Sequence, residues 1–252
     1  MQLREAEALL LDVVDLHDAD RIVSFLTREH GQKRGVARGA RRKHSRFAGQ
    51  LQPLAKVRVH WFEKEGRELV RISNVELLRP AHRMQQDLEG ILVGGYLAGH
   101  VIEFAQEDEP NEHLYRLLDT TLEALIQGTS RDLAARYFEV WVLRLQGIFP
   151  PPRECPSCGR EFGEDGAVLP QNGDALICPD CAGESRGGLR VAPEVLGFLR
   201  RSGRENLERL ALRPPPERVL RRVEELCGNI RRHFLHRELR SYEVLKQSLP
   251  AN

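Results

Sequence analysis

The chain has 252 residues, with 38 Lys and Arg against 37 Asp and Glu, and five cysteines. That length can bury one large core or two to three small ones. No apolar run approaches the roughly 18 residues of a membrane span. Arg4, Glu5, Glu7 and Asp12 charge the N-terminus, so no signal peptide is expected and a cytoplasmic location is. The near-zero balance hides a division: residues 1–80 carry +5, residues 81–150 carry −6 and residues 151–252 carry +2. Separate modules with different partners follow, the basic end being the one suited to a polyanion.

Taken in chain order, the first 80 residues read as short β-runs divided by turn chemistry: "LLLDVVDLHD", "DRIVSFLTRE", a glycine-spaced basic stretch, and "LAKVRVHWFEKEGRELVRISNVELL". Val57, Val59 and Trp61 alternate with Lys56, Arg58 and His60, which predicts one buried and one wet face. "EKEGRE" is a hairpin turn in which Gly66 supplies a positive φ. About five strands in 70 residues suit a small closed barrel of the OB type.

Beyond Pro80 the period becomes helical. Met84, Leu88, Ile91, Leu92, Gly95, Gly99 and Ile102 form one stripe, and Leu114, Leu117, Leu118, Thr121 and Leu125 a second. A third helix follows "TSRD", where Thr129 and Asp132 have capping-box spacing; apolar nearly all round, it is placed centrally. Pro193 opens a further helix, and the last long one puts Leu220, Val223, Cys227, Ile230 and Phe234 on one face. The fold class expected is α+β and multidomain: an OB-type barrel at 1–80, a helical domain beginning at 81–150, an inserted four-cysteine element at 151–190, and C-terminal helices at 191–252 completing the helical domain.

Cys155, Cys158, Cys178 and Cys181 form two C-x2-C pairs separated by 19 residues. Four thiolates complete a tetrahedral Zn2+ shell with no open position, so the site expected is structural. The glycine-rich segment between the pairs, expected to be loop, is too small to fold on its own apolar surface, so the metal would supply much of its folding free energy. A redox dithiol pair is the competing reading. Cys227 on an apolar stripe reads as core packing, ahead of a ligand set with His233 and His236.

The stretch "TREHGQKRGVARGARRKHSRF" holds eight Lys or Arg and one acid. It reads as a strand with mobile turns, Lys33, Arg34 and Arg38 along the strand and Arg41, Arg42, Lys43 and Arg46 in the loop after it. Glycines allow close backbone approach to a phosphate and Arg forks match its oxygens, so these seven are the expected nucleic-acid contacts. Phe47, Trp61 and Phe62 are candidates for base stacking. Seven arginines near the last long helix, from Arg218 to Arg240, alternate with Glu217, Glu224, Glu225 and Glu238, and local pairing is expected there. "EDE" at 107–109 reads as a solvated loop. No phosphate-binding loop, G-x-S-x-G or H-E-x-x-H motif is present, so no enzyme is expected.

The ordered series "DADRIVSFLTREHGQKRGVARGARRKHSR", "GYLAGHVIEF", "EPNEHLYRLLDTTLEAL", "FEVWVLRLQGIFP" and "ELRSYEVL" resembles the bacterial recombination mediator family RecO over nearly the whole chain. The resemblance implies an N-terminal OB barrel, a helical bundle with a zinc element, and a nucleoid-associated, non-enzymatic role in DNA damage repair by the RecFOR pathway. It implies binding of single- and double-stranded DNA, annealing of complementary strands, and help to RecR in loading RecA onto DNA coated by single-stranded DNA-binding protein, whose C-terminal tail is a further implied partner. The family's DNA-contact role carries onto Lys33, Arg34, Arg38, Arg41, Arg42, Lys43 and Arg46. Arg240-Ser241-Tyr242 departs from the family's usual Lys-Ser-Arg. The alternatives are a nuclease or nucleotidyl transferase that uses the barrel as a grip, and a zinc-ribbon adaptor that binds RNA.

Overall fold

The computed structural model describes residues 2–64, 66–171, 173–183 and 188–249. Five strands occupy the N-terminal part: β1 (Gln2–Leu16), β2 (Asp20–Thr27), β3 (Gln32–Ala37), β4 (Lys56–Glu63) and β5 (Val70–Arg79). They close in the order β1-β2-β3-β5-β4, every pair antiparallel except β3 with β5. The result is an OB-like mixed sheet. Val57, Val59 and Trp61 point inward beside Val23, Phe25 and Ile72, while Lys56, Arg58 and His60 face out, as the alternation requires. Gly66 turns at φ +76°; its neighbour Glu65 lies outside the described residues.

α1 (Leu88–Phe104) and α2 (Glu112–Ile126) follow a 3-10 turn at His82–Gln85. Asp87 caps α1 by accepting from the Gly90 amide. The α1 stripe read from the sequence is corrected here: Leu88, Ile91 and Ile102 are exposed, and Val93, Leu97, Val101 and Phe104 are buried instead. α1 has apolar residues on both sides, and Gly94 decides between them. A Cβ at Gly94 would lie 2.1 Å from Leu54 Cδ1, so this face approaches the barrel side closely. On α2 the expected residues Leu114, Leu117, Leu118, Thr121 and Leu125 are all buried.

Chain packing separates two compact units, Met1–Ile126 with Val244–Asn252, and Gln127–Glu243. The second contains α3 (Arg131–Leu145), β6 (Ala167–Leu169), α4 (Pro179–Ala182), β7 (Leu189–Val191), α5 (Pro193–Ser202), α6 (Leu207–Leu212) and α7 (Glu217–Leu235). α3 is buried nearly all round and packs on α7. Its cap is Ser130, one residue after the expected Thr129, the Ser130 hydroxyl accepting from the Leu133 amide. On α7 Leu220, Val223, Cys227 and Ile230 are buried, but Phe234, in the last turn, is 49% exposed. The segment between the cysteine pairs is not all loop, because it contains β6, which pairs with β7 beyond the second pair.

The "EDE" loop is exposed, as read from the sequence, but it does not hang free. It is docked on the barrel, with the Asp108 amide donating to the Gln32 carbonyl at 3.1 Å and Glu107 bridging Gln32. Gly31, at φ +64°, makes this possible, since a Cβ there would lie 2.2 Å from the Glu109 carbonyl oxygen. Gly31→Ala therefore strains the backbone and displaces the loop, and urea unfolding should give a loss of about 1–3 kcal/mol. Wild-type stability would show that the close approach carries no weight.

Candidate nucleic-acid interface and four-cysteine cluster

β3 has period-two geometry, so its adjacent cations separate. Lys33 shares the inward parity of Gly35 and Ala37, opposite Phe25, and lies at the mouth of the barrel. Its ammonium is ion-paired with both Glu63 and Asp108, and its side chain is only 11% exposed. Burial lowers the affinity of Lys33 for its proton, yet the bonds to Asp108 and Glu63 outweigh it and raise its pKa. Glu63 shows the converse: burial pushes its carboxyl up, and the Lys33 ammonium and Trp61 indole N–H bring it below the usual carboxylate range. Lys33 thus has its charge neutralised within the fold, against the expectation that it faces a phosphate. Arg34 points outward across from Ser24 and is exposed.

Arg38, Arg41, Arg42, Lys43 and Arg46 are exposed beyond the C-terminal end of β3, Arg38 standing one residue past the strand rather than in it. Five residues at roughly 3.3 Å each separate Lys33 from Arg38, so the seven expected contacts do not share one rim. The loop is a chain of hydrogen-bonded turns: the Arg42 amide bonds Gly39 at 3.1 Å, and the Ser45 amide bonds Arg42 at 3.0 Å. Ala40 and Phe47 anchor it in the barrel core. It is also tied to the β1–β2 turn, the Arg41 amide donating to Ala19 at 3.0 Å and the Gly39 amide to Asp20 Oδ1 at 2.8 Å. Arg41 pairs with Asp15 at 3.3 Å and donates to the His17 carbonyl at 2.8 Å. Arg46 lies over the Phe47 ring at 5.0 Å. Among the described residues Arg34, Arg38, Arg42 and Lys43 have no acidic partner. A fixed loop thus holds Arg38, Arg42 and Lys43 out to solvent without an acidic partner, while Arg41 is paired with Asp15.

Two of the stacking candidates are excluded by burial. Phe47 is 2% exposed and Trp61 is fully buried, both in the barrel core; Phe62 remains half-exposed beneath Arg71.

The arginines near α7 are largely consumed by pairing. Arg218 meets Glu194, Arg221 meets Glu217, Arg222 meets Glu225, and Arg231 and Arg232 both meet Glu238. Arg231 is buried, as are Arg136 and Glu139, which pair at 2.7 Å. Tyr242 donates to Glu224 at 3.0 Å and lies under Arg231. Cys227 is fully buried, and burial raises its thiol well above the ordinary value, in keeping with a core role.

Cys155, Cys158, Cys178 and Cys181 place their four Sγ atoms within 4.8 Å of one another. Cys158 and Cys178 Sγ are 3.7 Å apart, against the edge of about 3.8 Å that tetrahedral Zn–S bonds of about 2.3 Å define. The first turn is closed by Gly159 at φ +72°, its amide donating to the Cys155 carbonyl at 2.8 Å. Burial disfavours a Cys155 thiolate, but amides of Cys178, Ser157 and Cys158 outweigh it and bring the thiol down to about 6. The donor set and its spacing fit a metal ion.

An OB-like barrel bearing a basic loop, and a helical unit with a metal-competent cysteine cluster, make this a two-module protein. The family models "Recombination protein O N terminal" and "Recombination protein O C terminal" match residues 1–81 and 85–243. Among curated proteins, "DNA repair protein RecO" of Geobacter sulfurreducens is 34% identical over 247 residues, covering 97% of this chain and 98% of that one. Those of Geobacter metallireducens and of an Anaeromyxobacter species are each 32% identical, covering 99% and 96% of this chain and 100% and 95% of the relatives. The chain belongs to the RecO family of DNA repair and recombination proteins. Among its described residues no helix is long and apolar enough to cross a membrane.

Sequence reasoning missed Glu63 and Asp108 as partners of Lys33, which lie 30 and 75 positions downstream. Glu63→Gln leaves Lys33 with one carboxylate and should cost about 1–2 kcal/mol at pH 7. The lowered Glu63 pKa contributes stability above the unfolded value of about 4.3 that is lost as pH falls through the folded value. Urea unfolding should therefore show the gap between the variant and its parent narrowing as pH falls below the unfolded value; a gap that does not narrow in acid would remove the ion pair as its cause.

Proposed function

We propose that this protein binds single- and double-stranded DNA through the loop from Arg38 to Arg46 together with Arg34, and anneals complementary strands without covalent chemistry. The observation that carries the reading is the pinned loop whose Arg38, Arg42 and Lys43 have no acidic partner among the described residues, next to an exposed Arg34. Phosphates approaching such cations release counterions, which supplies affinity without sequence preference. A surface that screens phosphate repulsion holds two strands near each other and raises their effective concentration. On this reading the protein works in the cytoplasm at the nucleoid, as a mediator rather than an enzyme. It acts with RecR to load RecA onto DNA coated by single-stranded DNA-binding protein, whose C-terminal tail it contacts.

Zinc in the four-cysteine cluster is a structural brace in this reading. When bound it supplies a closed tetrahedral node, and Cys155, Cys158, Cys178 and Cys181 hold it as thiolates. Purified protein should contain about one zinc per chain by elemental analysis, and Cys155→Ser with Cys178→Ser should lose it and lower the melting temperature. A metal-free protein with unchanged melting would remove zinc from the account.

Reversing Arg41, Arg42 and Lys43 to Glu should abolish most DNA binding and strand annealing while leaving the fold intact by circular dichroism. If about five phosphates are engaged, single-strand affinity should fall with salt at a log–log slope of about −3.5. Unchanged affinity in the triple variant would take the loop out of the site, and tighter binding to RNA than to DNA at matched salt would favour an RNA adaptor.

A further inference from the structure

The strand register places one side chain from each strand in a continuous outward row around the barrel. Val14 pairs with Ile22, Ile22 with Val36, Val36 with Arg71, and Arg71 with Phe62. Cross-strand neighbours on one face are in side-chain contact range, and the strands lie about 4.8 Å apart, so Ile22 to Phe62 spans about 14 Å of wall. No member is acidic. Val14 is 51% exposed, Arg71 is exposed, and Ile22, Val36 and Phe62 are half-buried. The Arg71 guanidinium lies over the Phe62 ring, 4.7 Å from its centroid, so the row ends on stacked planar surfaces. Neither Arg71 nor Arg34, two residues from Val36 on the same outward side of β3, has an acidic partner among the described residues.

We propose that Phe62, Arg71, Val36 and Ile22 form a platform for the bases of single-stranded DNA, and that this row, rather than the basic loop, makes the protein prefer single strands to duplex. The inference rests on the DNA-binding reading above and adds a division of labour to it. The loop cations meet phosphates, which both forms of DNA present. A duplex keeps its base faces inside its own stack, whereas a single strand offers them to flat apolar and π surfaces. Unpaired cations beside the row hold the backbone there and favour a polyanion with planar bases over a neutral partner.

The test uses the full-length protein with a labelled oligo-dT, an abasic oligonucleotide of the same length and charge, and a duplex, each measured by fluorescence anisotropy. Phe62→Leu keeps an apolar side chain and removes the ring, and Arg71→Lys keeps the charge and removes the planar fork. Each should weaken oligo-dT binding about tenfold, leave duplex and abasic binding within about twofold, and leave the salt slope unchanged. Equal loss on all three ligands, or no loss on any, overturns the platform; in the second case the row is bare wall or a protein-docking face. The Arg41, Arg42 and Lys43 reversal distinguishes the two failures. If it abolishes binding while the row variants bind normally, only the platform falls, and if the parent protein binds none of the ligands, the DNA-binding reading falls with it.

Discussion

The seam between β3 and β5 is the constraint on which the rest of the barrel depends. It consists of three register pairs, Gly35 with Val70, Val36 with Arg71 and Ala37 with Ile72. Without it the sheet would be open, with two exposed edges. The seam closes because β3 brings almost no side-chain volume to its inner face there. A Cβ at Gly35 would stand 2.8 Å from both Ile72 Cγ1 and Val70 Cγ2, so glycine leaves that space to the larger residues of β5. Once the seam is fixed, every parity on β3 is fixed. Lys33 turns toward the barrel mouth and its carboxylates, Arg34 and Val36 turn out, and Arg71 comes beside Val36.

That coupling explains what could be read along the chain and what could not. The five strands, the alternation in β4, the α2 face and the cysteine spacing are local patterns, and each appears in the structure as its period dictates. The fate of Lys33 is not local. It depends on Glu63 at the end of β4 and Asp108 beyond α1, brought near by closure and by the docked acidic loop. α1 failed for a different reason: both of its sides are apolar, so hydrophobicity could not choose, and the choice lay with Gly94 against Leu54. Phe47 and Trp61 were ambiguous between stacking and core because an aromatic ring serves either role, and only burial separates them.

The docked loop also changes the meaning of the acidic middle segment. Its charges are not a diffuse counterweight to the basic end. Asp108 is spent on one cation of β3, and Asp119 on α2 meets Lys56 at 3.1 Å and Arg79 on the flank of the barrel. Burial opposes a charged Lys56, yet Asp119 and its neighbours raise its pKa, so the pair is held ionised. Acids of the first helices thus cancel the cations that closure would leave half-buried, and they do not reach the loop after β3. Arg38, Arg42 and Lys43 keep their charge on a surface that is both exposed and anchored.

The two arginine-rich segments of this chain make the same point by contrast. On α7 the acids fall three or four residues from arginines, at Glu217 with Arg221 and Arg222 with Glu225, which is the spacing that brings side chains together on a helix. Helical spacing makes these two pairs, and Glu194 of α5 and Glu238 just past α7 take Arg218, Arg231 and Arg232. Between Lys33 and Arg46 no acid occurs, and the glycines at 35 and 39 prevent a helix that could borrow one from its flanks. Among the described residues its acidic neighbours come from elsewhere in the fold: Asp15 reaches Arg41, and Glu63 and Asp108 reach Lys33, while Arg42 and Lys43 lie beyond all three. A similar density of arginine is therefore structural in one place and available to a polyanion in the other, and the difference lies in where the acids fall along the chain.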